Sequence, residues 1–233
     1  MKMRYLFTIC VLLGCIGCSE KNVIESPELA KVVDQVWPAT DSAIVGIEYI
    51  DVESLHDYDY HRYCLAREHL RLKRSTRLSE DIDMVALARW FSNRGDRESA
   101  GEAYYIQGAY LNWLGENTDA MQMLKEAEHQ STTPIVRGMI YYKMGRISES
   151  EQLFDIALEN YHQALPHLQE AALPLYLASV YRELGRMSND ENRNAYFDSA
   201  LVQARLYRDT ILYLDIRYAQ LSDSQSNSPE LAS

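Results

Sequence analysis

Apolar residues along this chain recur at every third or fourth position and almost nowhere at every second. Leu153, Phe154, Ala157, Leu158, Tyr161 and Leu165 form one such stripe, the spacing that aligns side chains on one face of a helix. No stretch sustains period-two alternation, and no Asn-Gly or Asp-Gly pair joins two apolar runs, so strands and hairpins are not expected. Polar residues punctuate the pattern. Ser26-Pro27 and Thr133-Pro134 set a capping side chain before a proline of the first turn. Ser148…Glu151 and Ser188…Glu191 have the spacing of a capping box, in which two orphan amides each find a side-chain partner. Gly95, Gly115, Gly145 and Gly185 stand where helices are expected to stop, since the left-handed conformation there suits glycine best. These marks predict about ten helices, near 27–37, 40–50, 57–74, 79–94, 97–114, 117–130, 133–144, 148–165, 173–184 and 189–214. The short loops between them favour antiparallel hairpins.

One sentence of the sequence is written twice. YYKMGRISESE at 141–151 returns as YRELGRMSNDE at 181–191, and the match extends backwards from Pro134-…-Gly138-…-Tyr141 to Pro174-…-Ala178-…-Tyr181. Gly108, Leu111 and Gly115 repeat the spacing of Gly138, Tyr141 and Gly145. Their partner helices agree as well: Ala120, Leu124 and Ala127 follow Gly115 as Ser150, Phe154 and Ala157 follow Gly145. Small residues let two helix backbones approach, large ones fill the gap beyond, and such a unit must stack on a neighbour to bury its apolar face.

These motifs resemble the tetratricopeptide repeat (TPR), which implies an all-α, right-handed superhelical solenoid of antiparallel helix pairs. The intervals of 30 and 40 residues depart from the usual 34. The extra residues are assigned to a long helix through YHQALPHLQEAA, with Pro166 as a kink point. The stretches from 26 to 55, YHRYCLAREHL and 81–111 also resemble the opening of a group of repeat lipoproteins of gut Gram-negative anaerobes, a likeness covering about residues 18–215. Many longer members of that group continue into a membrane span and a C-terminal coiled or DNA-binding segment. Neither has a counterpart in the sequence as far as Ser233.

The first residues are unlike the rest. A basic start (Lys2, Arg4) precedes an uncharged apolar run at 5–17, too short for a bilayer core and typical of a secretory leader. LLGC and CIGC end that run and resemble a lipobox. Cys18, at the apolar-to-polar boundary, is favoured over Cys15 as the lipidated residue. The expected organisation is a signal peptide at 1–17, a lipid-anchored tether at 18–26 and TPR-like helical pairs at 27–96. Three TPR-like repeats at 97–216 and a disordered serine-rich tail at 217–233 complete it. Localisation to the cell envelope through an N-terminal lipid follows. Cys64, the one cysteine after Cys18, falls in an apolar helical pattern and reads as a small buried hydrophobe.

The net charge of −11 argues against non-specific nucleic-acid binding and adhesion to anionic lipid. HDYDYH at 56–61 groups histidines and aspartates at a spacing that matches no zinc or calcium site, so no metal or other cofactor is expected. His162 and His167 are poorly spaced as ligands, and RLKRSTR at 71–77 reads as a solvated basic helix end. No nucleophile elbow, phosphate loop or catalytic pairing appears, and the chain is not expected to be an enzyme.

What remains is a surface. The TPR resemblance implies that the first helix of each pair lines the concave side. Counting from the glycines, it assigns Tyr105, Asn112 and Trp113 in one unit, Met139, Tyr142 and Lys143 in the next, and Arg182 and Glu183 in the third. Aromatic anchors flanked by amide and charged groups suit a peptide. The expected function is a membrane-tethered scaffold for a peptide or protein partner in the envelope. The alternatives are the sensory portion of a TPR-containing regulator and, more weakly, a glycan-binding lipoprotein.

Overall fold

The computed structural model describes residues 22–188 and 190–226, and its described residues contain helices and no strands. The leader, both lipobox cysteines and the end of the serine-rich tail lie outside these residues. Eleven α-helices follow one another: α1 (Pro27–Gln35), α2 (Thr40–Ile47), α3 (Asp57–Lys73), α4 (Met84–Asn93), α5 (Arg97–Leu114) and α6 (Asn117–Gln130). Then come α7 (Pro134–Ser150), α8 (Phe154–Ala171), α9 (Pro174–Met187), α10 (Asp190–Tyr207) and α11 (Thr210–Ser226). The dominant packing is between chain neighbours, α5 with α6, α7 with α8 and α9 with α10. Weaker contacts from α6 to α7 and from α8 to α9 stack the pairs into a TPR-like helical solenoid.

Local chemistry explains the helix starts. The Ser26 side chain accepts from the Leu29 amide at 3.2 Å with Pro27 behind it. Asp83 accepts from Val85 and Ala86, and Asp96 accepts from Ser99; each satisfies amides that the first turn leaves without a helical partner. Asp59, in the predicted polar stretch at 56–61, is buried and accepts from the Glu25 and Ser26 amides at 3.0 and 2.7 Å. That aspartate fastens the entry segment to α3.

Helix stops divide the predicted glycines into two kinds. Gly95 and Gly115 end helices in the left-handed conformation, at φ 77° and 84°. Gly145 and Gly185 instead lie inside α7 and α9. A Cβ on Gly145 would come within 2.6 Å of the Tyr161 ring, so its smallness serves helix packing and not a turn. The turn after α7 falls at Gln152, which takes φ 63° without glycine. Ser148 is accordingly buried within the helix, and the expected capping box there does not form.

This changes the repeat register. Gly108 packs on Leu124 as Gly145 packs on Tyr161, and Gly101 packs on Ser131 as Gly138 packs on Leu168. Gly108–Leu124 and Gly101–Ser131 centre on residue 116, Gly145–Tyr161 and Gly138–Leu168 on residue 153, and Gly185–Phe197 on residue 191. Gly108, not Gly115, is therefore the counterpart of Gly145. In the second helices Ala120, Leu124 and Ala127 correspond to Ala157, Tyr161 and Ala164, all fully buried, whereas Phe154 is 56% exposed. The sequence alignment of the first two units is off by seven residues. Two helical turns return a residue to nearly the same face, so the small–large pattern alone does not separate the two registers. The interval between units is about 37 residues, close to the ordinary repeat length.

At the C-terminal end, the single helix expected at 189–214 is two helices, broken at Arg208 with φ 61°. The second, α11, runs to Ser226 through residues expected to be structureless. Ile216 is wholly buried against Phe197, Ala200 and Ala204, and this packing overrides a serine-rich composition. α8 runs through Pro166 without interruption. No helix among the described residues is long and apolar enough to cross a membrane.

Candidate functional site

The inner side of the solenoid holds a cavity of about 350 Å³, within the size range of ligand pockets. Five elements supply its walls: Trp37 from the turn after α1, His69 and Lys73 from α3, Tyr105 and Trp113 from α5, Met139, Tyr142 and Lys143 from α7, and Tyr176 and Ser179 from α9. Five of the eight residues expected on the concave face therefore share one wall: Tyr105, Trp113, Met139, Tyr142 and Lys143. Tyr105 and Met139 are almost wholly buried, while Trp113 is half exposed at the rim.

The other three lie elsewhere. Asn112 donates to the Asn117 side chain at 3.1 Å, and Asn117 reaches Glu151 at 2.6 Å, a strap between successive turns. Glu183 is buried at 1% exposure. It accepts from Arg182 at 2.7 Å and Arg186 at 2.5 Å, with Arg146 at 3.9 Å. Arg182 also pairs with Asp215 of α11, and Arg186 with Glu149 at 3.2 Å. The reason is α11, which packs on α9 and draws Arg182 into an inter-helix network. From α9 the cavity receives Leu175, Tyr176 and Ser179, near the start of the helix.

Trp37, His69, Lys73 and Tyr176 are among the cavity residues not anticipated from sequence. Trp37 crosses His69 edge-on at 4.4 Å and stands 5.8 Å from both Tyr105 and Tyr176. Lys73 lies over the Trp37 ring at 4.5 Å and the Tyr176 ring at 5.1 Å, and donates to the Tyr176 hydroxyl. Lys73 belongs to the basic cluster expected to be solvated. Its neighbour Arg74 is exposed, but Lys73 turns inward, four residues after the buried His69. That i, i+4 continuation of the stripe was the available signal. Tyr176 and Trp37 carried none, because each is placed by contacts with distant helices, Trp37 with His69 and Tyr105, and Tyr176 with Trp37 and Lys73.

The electrostatics of the cavity are unbalanced. His69 and Glu102 form a buried pair at 2.6 Å. Burial lowers the imidazole pKa, and the imidazole hydrogen bond, outweighing burial, holds the Glu102 carboxyl below its usual range. The pair is a neutral histidine donating to a carboxylate. Burial also lowers Lys73, to about 8, with Glu102 acting against it. Lys143 is lowered by burial and by the neighbouring Arg146. Among the described residues Lys143 has no ion pair and no hydrogen bond. Burial raises the Tyr105 and Tyr176 hydroxyls, which stay protonated donors.

The remaining sequence candidates have structural partners. His167 stacks parallel to Tyr141 and His162 meets Tyr196 edge-on, Asp57 pairs with His61, and Cys64 is buried in the main core. No group of three or more histidines, cysteines or carboxylates among the described residues is placed to hold a metal.

The chain is similar to the Photosystem I assembly protein Ycf3 of Chaetosphaeridium globosum, with 33% identity over 109 residues. The match covers 45% of this chain and 64% of that protein, so this chain spans less than two thirds of its relative's length. No family model matches, and no solved structure does.

Proposed function

We propose that the protein is a TPR-type scaffold that holds a peptide or protein partner in its inner cavity. One observation carries the reading: side chains from α3, α5, α7 and α9, far apart in sequence, converge on one partly apolar cavity whose aromatic walls and polar donors suit peptide recognition. The likeness to a protein named for an assembly role supports a scaffold over a catalyst. The leader and the cysteine at its boundary support tethering in the cell envelope by lipid on Cys18.

In-cell cross-linking followed by affinity recovery tests this. A partner recovered by the intact protein and lost with Trp113→Ala plus Tyr142→Ala, both variants folded, supports the cavity as the binding site. Equal recovery by both removes it. Labelling with radioactive palmitate, with Cys18→Ser as control, tests the anchor; incorporation unaffected by that change defeats Cys18. A glycan reading rests on the same aromatic walls, and sugar-dependent stabilisation of the purified protein is its test.

A further inference from the structure

Each end of a helical solenoid leaves a helix face without the neighbour that internal helices have, and terminal units ordinarily meet water there with a polar surface. At the C-terminal end of the described residues the opposite is found. α11 stands where the first helix of a further pair would stand, and no second helix covers it among the described residues. Its inner face, with Leu212, Tyr213, Ile216 and Ala219, packs on α9 and α10. Its outer face carries Ile211, Leu214, Tyr218 and Leu221, which are 82, 60, 74 and 54% exposed. An apolar stripe left open to this degree marks a surface that another molecule covers.

The charge, the spacing and the area of the stripe say which molecule. Asp215 and Arg217 flank it and are held within the chain, Asp215 by Arg182 and Arg217 by Gln220 at 2.8 Å. A partner of either charge is therefore not called for. The stripe advances by three, four and three residues, the seam of a two-stranded coiled coil, and these steps read the same in both directions. Two antiparallel copies of α11 related by a two-fold axis at Ile216 match throughout, with Ile211 of each against Leu221 of the other and Leu214 against Tyr218. Leu206 and Tyr207, exposed at the end of α10, lie just before the stripe. These six side chains expose on the order of 700 Å², close to the share of one partner in a standard interface. The groove at the other end of the solenoid, between α1 and α2, is a poorer match, because Glu28, Lys31 and Asp41 interrupt its walls.

We propose that the outer face of α11 is a self-association surface, on which a second copy of this chain lays its own α11 antiparallel to form a two-fold dimer. None of the stripe residues lines the inner cavity, so the dimer stands apart from the peptide-scaffold reading.

Two differently tagged copies of the full-length chain, each with benzoylphenylalanine in place of Ile211, are expressed together in cells and irradiated. Expected is a covalent dimer carrying both tags, bridged from residue 211 of one copy to the tryptic peptide of the other that begins at Tyr218. Adding Leu214→Lys and Tyr218→Lys is expected to lower its yield roughly tenfold, with the thermal melt unchanged because both positions face solvent. Trp113→Ala plus Tyr142→Ala is expected to leave the dimer in place, which separates this test from that of the cavity. A bridge to residues 209–217 of the other copy overturns the antiparallel pairing, and a bridge to α1 or α2 replaces the two-fold dimer with a head-to-tail array. Cross-linking to a different protein alone, no dimer, or a yield indifferent to the lysines overturns self-association through α11.

Discussion

Two sites in this solenoid bury charge, and they do so in opposite ways. Beneath α11, the Glu183 carboxylate is surrounded by Arg182, Arg186 and Arg146, and the arginines pass on to Asp215 and Glu149. Tyr161 donates to Glu149 at 2.8 Å and closes that network against α8. In the cavity, Lys143 has no counter-ion among the described residues, and Lys73 has ring faces and hydroxyls in place of a carboxylate. The first arrangement is finished within the chain and belongs to the architecture. The second is left partly open, without a carboxylate beside either ammonium among the described residues. A satisfied buried charge marks structure, and an unsatisfied one lining a cavity marks a place for a ligand.

The sharpest way to break the comparison is Glu183→Gln. Removing the carboxylate leaves three guanidiniums facing one another, and stability is expected to fall by about 3 kcal/mol, read by urea denaturation. A loss as small as that of a surface substitution would put the network among solvated ion pairs.

The next test is pH dependence at Lys73. Its folded pKa of about 8 lies below the unfolded value near 10.5. Below pH 8 the amine is charged in both states and the full burial penalty applies; between 8 and 10.5 only the unfolded chain keeps the proton, so stability from this group rises with pH. Facing it are Trp37, Thr40, His69, Glu102, Tyr105, Lys143 and Tyr176. The raised Cys64 thiol and buried tyrosines titrate in the opposite sense, which is cancelled by comparing wild type with Lys73→Met. The gap between the two is expected to close by about 2 kcal/mol across that window, after allowance for screening at the exposed edge of the side chain. A pH-independent gap would contradict the desolvated amine.

Lys143→Met should act oppositely to Glu183→Gln, leaving the unliganded protein more stable by about 1 kcal/mol, since it removes an unpaired cation and adds an apolar side chain of similar length. A clear loss of stability would mean that Lys143 already has its partner. The smallest effect is expected from Trp113→Ala, which stands half exposed at the rim: within about 0.5 kcal/mol in stability, with the loss confined to partner recovery.

Much of the fold was legible because the forces that make a helix are local. The capped start at Ser26, the left-handed stops at Gly95 and Gly115, and the setting of small residues against large ones follow from short stretches of chain. The caps at Asp83 and Asp96 were not anticipated, and Thr133 makes no side-chain cap bond. Gly145 and Gly185 show where that reading fails, since a helix needs smallness for close packing as often as for a turn. The site was partly legible as well. Tyr105, Met139, Tyr142 and Lys143 come from the TPR resemblance, counted from the repeat glycines, whereas Glu183, assigned by the same count, is claimed by arginines that α11 helps to position.

By itself, then, the sequence determined that the chain is helical and that its helices pair by setting small residues against large ones. Register between units, the extra helix at the C-terminal end and the meeting of Trp37, Lys73 and Tyr176 were decided only in the tertiary structure. A pattern of period 3.6 is nearly unchanged by a shift of seven, so it cannot choose between registers. A contact across a hundred residues depends on how many small inter-helix rotations add, which no local stretch encodes.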